Sequence, residues 1–193
     1  MTEGEMLKVV YDLMRSFDRS VFRLEALPRY TSDAETETIR SYLAGDPLPP
    51  RASAPSPYEG LVGAAKASGK EWARVHAFEG PPNTYLRYEI DWHYVYNARA
   101  GEDIRILQTE DLAAVFGGQP PDFWLFDDSI GVEMAYDSEY RLTGVELVTG
   151  SAEVARYRAL RDVALREAVT LREYLAALRR QVVPAMSAPV SVG

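Results

Sequence analysis

The chain contains no cysteine. Disulfides, thiolate nucleophiles and zinc or iron–sulfur centres held by cysteine are therefore excluded. Histidine is nearly absent, with two among 193 residues, so a catalytic triad or a histidine-rich metal site has only His76 and His93 to draw on. Lysine is confined to Lys8, Lys66 and Lys70. No apolar run approaches the ~20 residues that a membrane helix needs. The opening MTEGEMLKVVYDLM has neither the basic start nor the apolar stretch of a secretory signal, and a cytoplasmic protein without membrane association is expected. Phosphate-binding G-x-G-x-x-G and Walker A patterns are missing, as are the G-x-S-x-G elbow and HExxH. Gly117-Gly118 runs into Gln119-Pro120 and reads as a turn.

What is present has the proportions of a globular domain, 47% hydrophobic and 26% charged, in a chain long enough to bury a core without cross-links. The net charge of −8 repels phosphate, so direct nucleic-acid binding is disfavoured. The charge is uneven. Between Ser151 and Val183 seven arginines face four acids, whereas the preceding residues hold 14 basic and 25 acidic side chains. The basic helix reads as neutralising the acidic body it packs on, with a partner-binding face as the alternative.

Thr2 and Glu5 form a capping box that opens a helix with Met6, Val10, Leu13 and Phe17 at helical spacing. SVFRLEAL reads as a strand. Ser32 and Glu35 offer a second capping box for a helix through Ile39, Tyr42 and Leu43, ending at Gly45. Residues 46–57 contain five prolines and read as a loop. A short helix ending at Gly69 and the strand KEWARVHAF follow. Pro81 and Pro82 suit the first turn of a helix carrying Tyr85, Tyr88, Trp92 and Tyr96, closed by Gly101. After the strand DIRIL and a helical turn or two before Gly117, the segments DFWLFD, IGVEMAYD and LTGVELVT form a three-stranded meander. Ser151 caps a long helix with Val154, Tyr157, Leu160 and Ala164 on one side, and a Thr170–Glu173 capping box starts the last. The fold class expected is α+β: a mostly antiparallel sheet of five or six strands flanked by helices, without a βαβ rhythm and with a C-terminal helical segment. Residues 1–183 form a single domain in this reading, and residues 184–193 a disordered tail.

Charged side chains on the strands are the candidate chemistry. Arg23 and Glu25 share one face of their strand. Glu102, Asp103 and Arg105 form a comparable set in GEDIR. Such charges either pair across strands or floor a pocket in which an arginine grips a ligand carboxylate. Asp122, Asp127 and Asp128 bracket DFWLF, with Glu133 and Asp137 beyond it. Converging carboxylates suit Mg²⁺ or Mn²⁺, but Ala135 stands where a metal-dependent nuclease core wants lysine. Asp127-Asp128-Ser129 reads more simply as a turn. His76 and His93 read as packed or surface histidines. The aromatic helix reads as core packing, with an interaction face as the alternative.

FRLE at residues 22–25, the Pro-x-x-x-Tyr segment ending at Tyr85, AGEDIRIL at 100–107 and DFWLFDD at 122–128 resemble an actinobacterial family, the domain-of-unknown-function family numbered 6879. The resemblance runs over residues 17–174 in the same order along the chain. It implies no particular reaction. Its members sit beside helix-turn-helix regulators, which implies a regulatory accessory role. The proline-rich loop is longer here than in the family, so no site built on that loop carries over.

The expectation is therefore a non-enzymatic regulatory or interaction module that binds a protein partner, such as a helix-turn-helix regulator, through complementary charge and needs neither cofactor nor metal. The alternative is a small-molecule or catalytic pocket built from Arg23, Glu25, Glu102, Asp103, Arg105, Asp122, Trp124 and Asp127. The weakest reading is metal-dependent phosphodiester cleavage. Oligomeric state is left open.

Overall fold

The computed structural model describes residues 2–49 and 55–182. The centre of the proline-rich loop and the tail at 184–193 lie outside the described residues. The chain enters through α1 (Glu3–Ser16), whose capping box forms as its sequence requires, Thr2 N–H on Glu5 Oε2 at 2.7 Å and Glu5 N–H on Thr2 Oγ1 at 3.3 Å. Met6, Val10 and Met14 are its buried stripe.

Seven strands make one sheet: β1 (Ser20–Glu25), β2 (Glu71–Glu79), β3 (Asp103–Thr109), β4 (Asp122–Phe126), β5 (Ile130–Tyr136), β6 (Leu142–Val148) and β7 (Val169–Thr170). They lie in the order β6-β5-β4-β1-β2-β3-β7. The sheet is mixed, against the expectation of a mostly antiparallel one with five or six strands. β1–β2 and β2–β3 are parallel ladders, and the other four pairings are antiparallel. A parallel neighbour needs a crossover of a dozen or more residues. Helices supply both crossovers: α2 (Thr36–Leu43) and α3 (Pro57–Ala67) between β1 and β2, then the helix from Thr84 to Ala100 between β2 and β3. The βαβ rhythm is present but masked in sequence by the proline-rich loop that splits the first crossover. β7 spans only two residues and carries no periodic signal.

Three helix starts differ from the sequence reading. α2 begins after a 3₁₀ turn (Asp33–Glu35) without a side-chain cap, because the Glu35 carboxylate meets Tyr85 and His93 instead. Pro81 and Pro82 stand before the second crossover helix, where Asn83 accepts from Leu86 N–H at 2.9 Å. That helix comprises α4 (Thr84–Tyr88), a π turn (Glu89–His93) and α5 (Tyr94–Ala100), and Gly101 closes it at φ +118°. α6 (Leu112–Phe116) and α8 (Leu171–Val182) follow the sequence reading, whereas α7 (Ser151–Glu167) has Gly150 rather than Ser151 in its cap position and no side-chain cap, the Gly150 carbonyl accepting from Val154 N–H at 2.9 Å.

Strand alternation divides the core. Phe22, Leu24, Val75, Ala77, Leu107, Phe123 and Leu125 face α6 and α7. On the other face, Val21, Trp72, Trp124 and Phe126 pack against α1 and α3, while Phe78, Ile104 and Ile106 pack against α4, α8 and their neighbours. Period-2 geometry puts Arg23, Glu25, Arg74, His76 and Asp122 on this second face, between its two apolar clusters. Among the described residues, no helix is long and apolar enough to cross a membrane.

Candidate functional site

Charged residues occupy the centre of the sheet and are buried. Arg23 is 3% exposed, Glu25 7%, Arg74 8%, Glu102 4% and Asp122 5%. β1 and β2 pair in parallel register with Arg23 beside Arg74 and Glu25 beside His76. Arg74 donates from Nη1 to Glu25 Oε1 at 2.6 Å and from Nε to Glu102 Oε1 at 2.8 Å. Its Nη2 donates to the Tyr58 hydroxyl at 2.8 Å, and that hydroxyl donates to Glu102 at 2.9 Å. Arg23 Nη2 donates to Asp122 Oδ2 at 2.9 Å and to the Tyr136 hydroxyl at 3.2 Å. Asp122 also accepts from Tyr30 at 2.5 Å and from Ala26 N–H at 2.7 Å. Trp124 lies beneath both guanidiniums, its ring 5.2 Å from Arg23 and 5.8 Å from Arg74.

His76 extends the network. Its Nε2 faces the Leu27 carbonyl oxygen at 3.1 Å and so carries a proton to donate. Its Nδ1 lies 2.5 Å from the Tyr94 hydroxyl, which donates to Glu25 Oε2 at 2.9 Å. The histidine is thus a buried, hydrogen-bonded member of the floor rather than a surface residue.

The protonation states follow from these contacts. Burial opposes ionisation of Glu25, but Arg74, His76 and Arg23 outweigh it and hold the carboxyl far below its ordinary range. Burial pushes Asp122 upward against the pull of Arg23, Tyr30 and the Ala26 N–H, and the net shift is up. Burial pushes Tyr136 up to about 12 and Tyr30, Tyr58 and Tyr94 well above the ordinary phenol value. These hydroxyls therefore stay protonated and available as donors.

Above this floor is a cavity of about 740 Å³. Arg23, Glu25 and Arg74 line its base, and Tyr30 and Tyr136 flank them. The opposite wall comes from the 3₁₀ turn and the π turn. Glu35 and Glu89 approach His93, with Nδ1–Oε1 distances of 3.6 Å and 2.9 Å. Tyr85 donates to Glu35 Oε2 at 3.3 Å. Among the described residues, Glu35, Glu89 and His93 are the group whose spacing could hold a metal ion, their ligand atoms lying within 4.8 Å of one another. Burial and the neighbouring Glu89 carboxylate raise Glu35 to about 7. Burial lowers His93, but Glu89 and Glu35 reverse that and lift it to about 9. Glu89 and His93, four residues apart across the π turn, share a helix side and both line the cavity.

One hydrogen-bonding debt stands out. Among the described residues, Arg23 Nε and Nη1 are buried without a hydrogen-bond partner, as is Glu102 Oε2. Nε lies 3.6 Å from Glu25 Oε1, an ion-pair distance rather than a hydrogen bond.

The candidate residues separate. The structure brings Arg23, Glu25, Glu102, Asp122 and Trp124 into one network, which Arg74 and His76 join. Asp103 and Arg105 lie on the opposite face of β3, bonded to each other at 3.0 Å, because strand alternation divides GEDIR between Glu102 and Asp103. Asp127 sits in the β4–β5 turn and accepts from Asp18, Arg19 and Ser20 N–H at 2.8, 2.6 and 3.0 Å. The acidic cluster disperses in the same way: Asp128 pairs with Arg161, Glu133 accepts from Tyr157, and Asp137 ties its own turn to Glu139 and Arg141. The aromatic helix is no open interaction face, since Tyr88 and Trp92 are buried and turn toward the cavity. Sequence reasoning overlooked Glu35, which reads as a cap, and the Glu89-x-x-x-His93 spacing, which was the available signal.

The fold and site define an α+β domain whose mixed sheet carries a buried ionic network under a mouth lined with tyrosines. The chain belongs to the family described as "Domain of unknown function (DUF6879)", which matches residues 8–176. Among solved structures, NucT from Helicobacter pylori is similar in fold, with a TM-score of 0.46 and 10% identity over 87% of this chain and 94% of that one. No curated protein matches the sequence.

Proposed function

We propose that the domain binds a small molecule in the cavity between the sheet and the crossover helices, and that Arg23 receives an oxygen acceptor of that ligand. The observation that supports this reading is the state of Arg23, a side chain that lines the cavity with Nε and Nη1 unpartnered among the described residues. A buried N–H without a partner costs about 1–3 kcal/mol. A ligand oxygen that accepts from Nε–H recovers that group's share of the cost on binding, while Nη1, on the other edge of the planar guanidinium, takes a separate acceptor. The volume of about 740 Å³ falls within the size range of small-molecule sites.

In this reading the domain holds its ligand rather than transforming it. A regulatory role then follows if a protein partner, such as a helix-turn-helix regulator, reads the occupied state. Pull-down with and without ligand at two salt concentrations tests that step.

The binding step is tested by thermal shift against carboxamides, carboxylates and phosphates. Ligands are expected to raise the melting temperature of the native chain and of Arg105→Gln, whose substitution lies on the far face of the sheet. The rise is expected to vanish in Arg23→Gln, and also in Thr38→Trp, which blocks the cavity from an exposed position on α2 and leaves the buried network intact. Equal stabilisation of all four proteins by the same ligands would remove the cavity as the site.

A further inference from the structure

Two guanidiniums at the cavity floor, Arg23 and Arg74, meet three buried carboxylates, Glu25, Glu102 and Asp122. Arg23 pairs with Asp122 at 2.9 Å, and Arg74 pairs with Glu25 at 2.6 Å and with Glu102 at 2.8 Å. The third nitrogen of Arg74 is bonded to the Tyr58 hydroxyl. The rest of the cavity lining adds Glu3, Glu35, Glu59 and Glu89 against His93. The positive charge of the floor is therefore already met. What Arg23 lacks, among the described residues, is hydrogen-bond acceptors for Nε and Nη1.

A ligand oxygen that accepts from Nε–H comes close to Glu25, whose Oε1 is 3.6 Å from the same nitrogen. Burial opposes the charge on Glu25, but Arg74, His76 and Arg23 hold it ionised. An anionic oxygen at that point adds negative charge beside Glu25 where water screens little. A neutral carbonyl oxygen makes the same hydrogen bond without the repulsion.

Tyr136, which also lines the cavity, supplies a second donor. Among the described residues its hydroxyl makes one hydrogen bond, which it accepts from Arg23 Nη2 at 3.2 Å. Its own O–H proton is undonated, and burial keeps that proton in place by pushing the phenol up to about 12. The hydroxyl thus stands on the guanidinium beside the unpartnered N–H groups. A carbonyl oxygen, with two lone pairs, takes two such donors.

Resting on the small-molecule reading above, we propose that the ligand enters with a neutral carboxamide-type carbonyl, whose oxygen accepts from both Arg23 Nε–H and the Tyr136 hydroxyl. The surrounding carboxylates turn away carboxylate and phosphate ligands, and they accept from the N–H groups of a carboxamide.

Benzamide, benzoate and phenyl phosphate present the three head groups on one ring. In NMR titrations of the native chain, benzamide is expected to bind roughly tenfold more tightly than either anion. Tyr136→Phe keeps the ring and the Arg23–Asp122 pair. It is expected to weaken benzamide about three- to tenfold, the scale of one hydrogen bond, with amide resonances away from the cavity unchanged. Benzamide binding to Tyr136→Phe as tightly as to the native chain would overturn the two-donor seat. Benzoate or phenyl phosphate binding as tightly as benzamide, and lost in Arg23→Gln, would overturn the neutral carbonyl while leaving Arg23 and the cavity as the site. Failure of all three compounds at millimolar concentration would overturn both readings.

Discussion

Arg23 and Arg74 are direct neighbours on parallel strands, and both guanidiniums lie over the indole of Trp124, at 5.2 Å and 5.8 Å. Two like charges held this closely in a sheet interior persist only because acids enclose them. Glu25 is the acid shared by the two, 2.6 Å from Arg74 and 3.6 Å from Arg23.

Replacing Glu25 with Gln leaves buried guanidiniums with too little negative charge. Breaking a buried ion pair from one side costs about 3–5 kcal/mol. Urea unfolding of Glu25→Gln is expected to show a loss of that size. A loss below about 1 kcal/mol, the scale of an exposed pair, would mean that Asp122 and Glu102 alone balance the arginines.

Asp127 gives a contrasting prediction. Its φ of +53° places it in the left-handed region, and its carboxylate gathers three consecutive backbone N–H groups at the α1–β1 junction. Those bonds outweigh burial and hold its carboxyl below the ordinary value. Asp127→Ala is expected to cost about 1–3 kcal/mol in chemical denaturation with no change in ligand affinity, because Asp127 lies at the far end of β4 from the cavity. Loss of binding without loss of stability would reverse that assignment.

The acidic wall makes stability depend on pH. Glu35 rises from an ordinary 4.5 to about 7 in the folded chain. Its contribution is therefore complete below about pH 4.5 and is lost as pH climbs through 7. His93, raised from 6.5 to about 9, acts in the same direction at higher pH, although its side chain is 47% exposed and solvent screening reduces its share. Unfolding free energy is expected to fall by on the order of 1–3 kcal/mol between pH 5 and 7, and Glu35→Gln is expected to flatten that fall. A profile unchanged by the substitution would place the titration elsewhere.

Local patterns made part of the site legible. Arg23 and Glu25 share a face because strand side chains alternate, and the DFWLF strand delivers Asp122 and Trp124 to the same face by the same rule. That rule also separates Asp103 and Arg105 from Glu102, a division that grouping GEDIR by proximity in sequence conceals. Asp127-Asp128-Ser129 reads as a turn from composition, but its grip on residues 18–20 is a long-range contact that no local pattern announces. Strand direction is hidden for a similar reason. Only the crossovers decide it, and a proline-rich loop interrupts the first. The wall of Glu35, Glu89 and His93 joins two segments distant in sequence, and Glu89-x-x-x-His93 looks like any helical pair until Glu35 is brought against it.

The most direct test of the cavity is the Nε–H resonance of Arg23 in isotope-labelled side-chain NMR, assigned by its disappearance in Arg23→Lys. If the guanidinium receives a ligand oxygen, a carboxamide that binds moves this resonance downfield in a saturable titration, while the Arg105 resonance stays in place. If Arg23 Nε–H holds its position while resonances elsewhere report saturation, the ligand sits at another site and the role given to Arg23 is wrong.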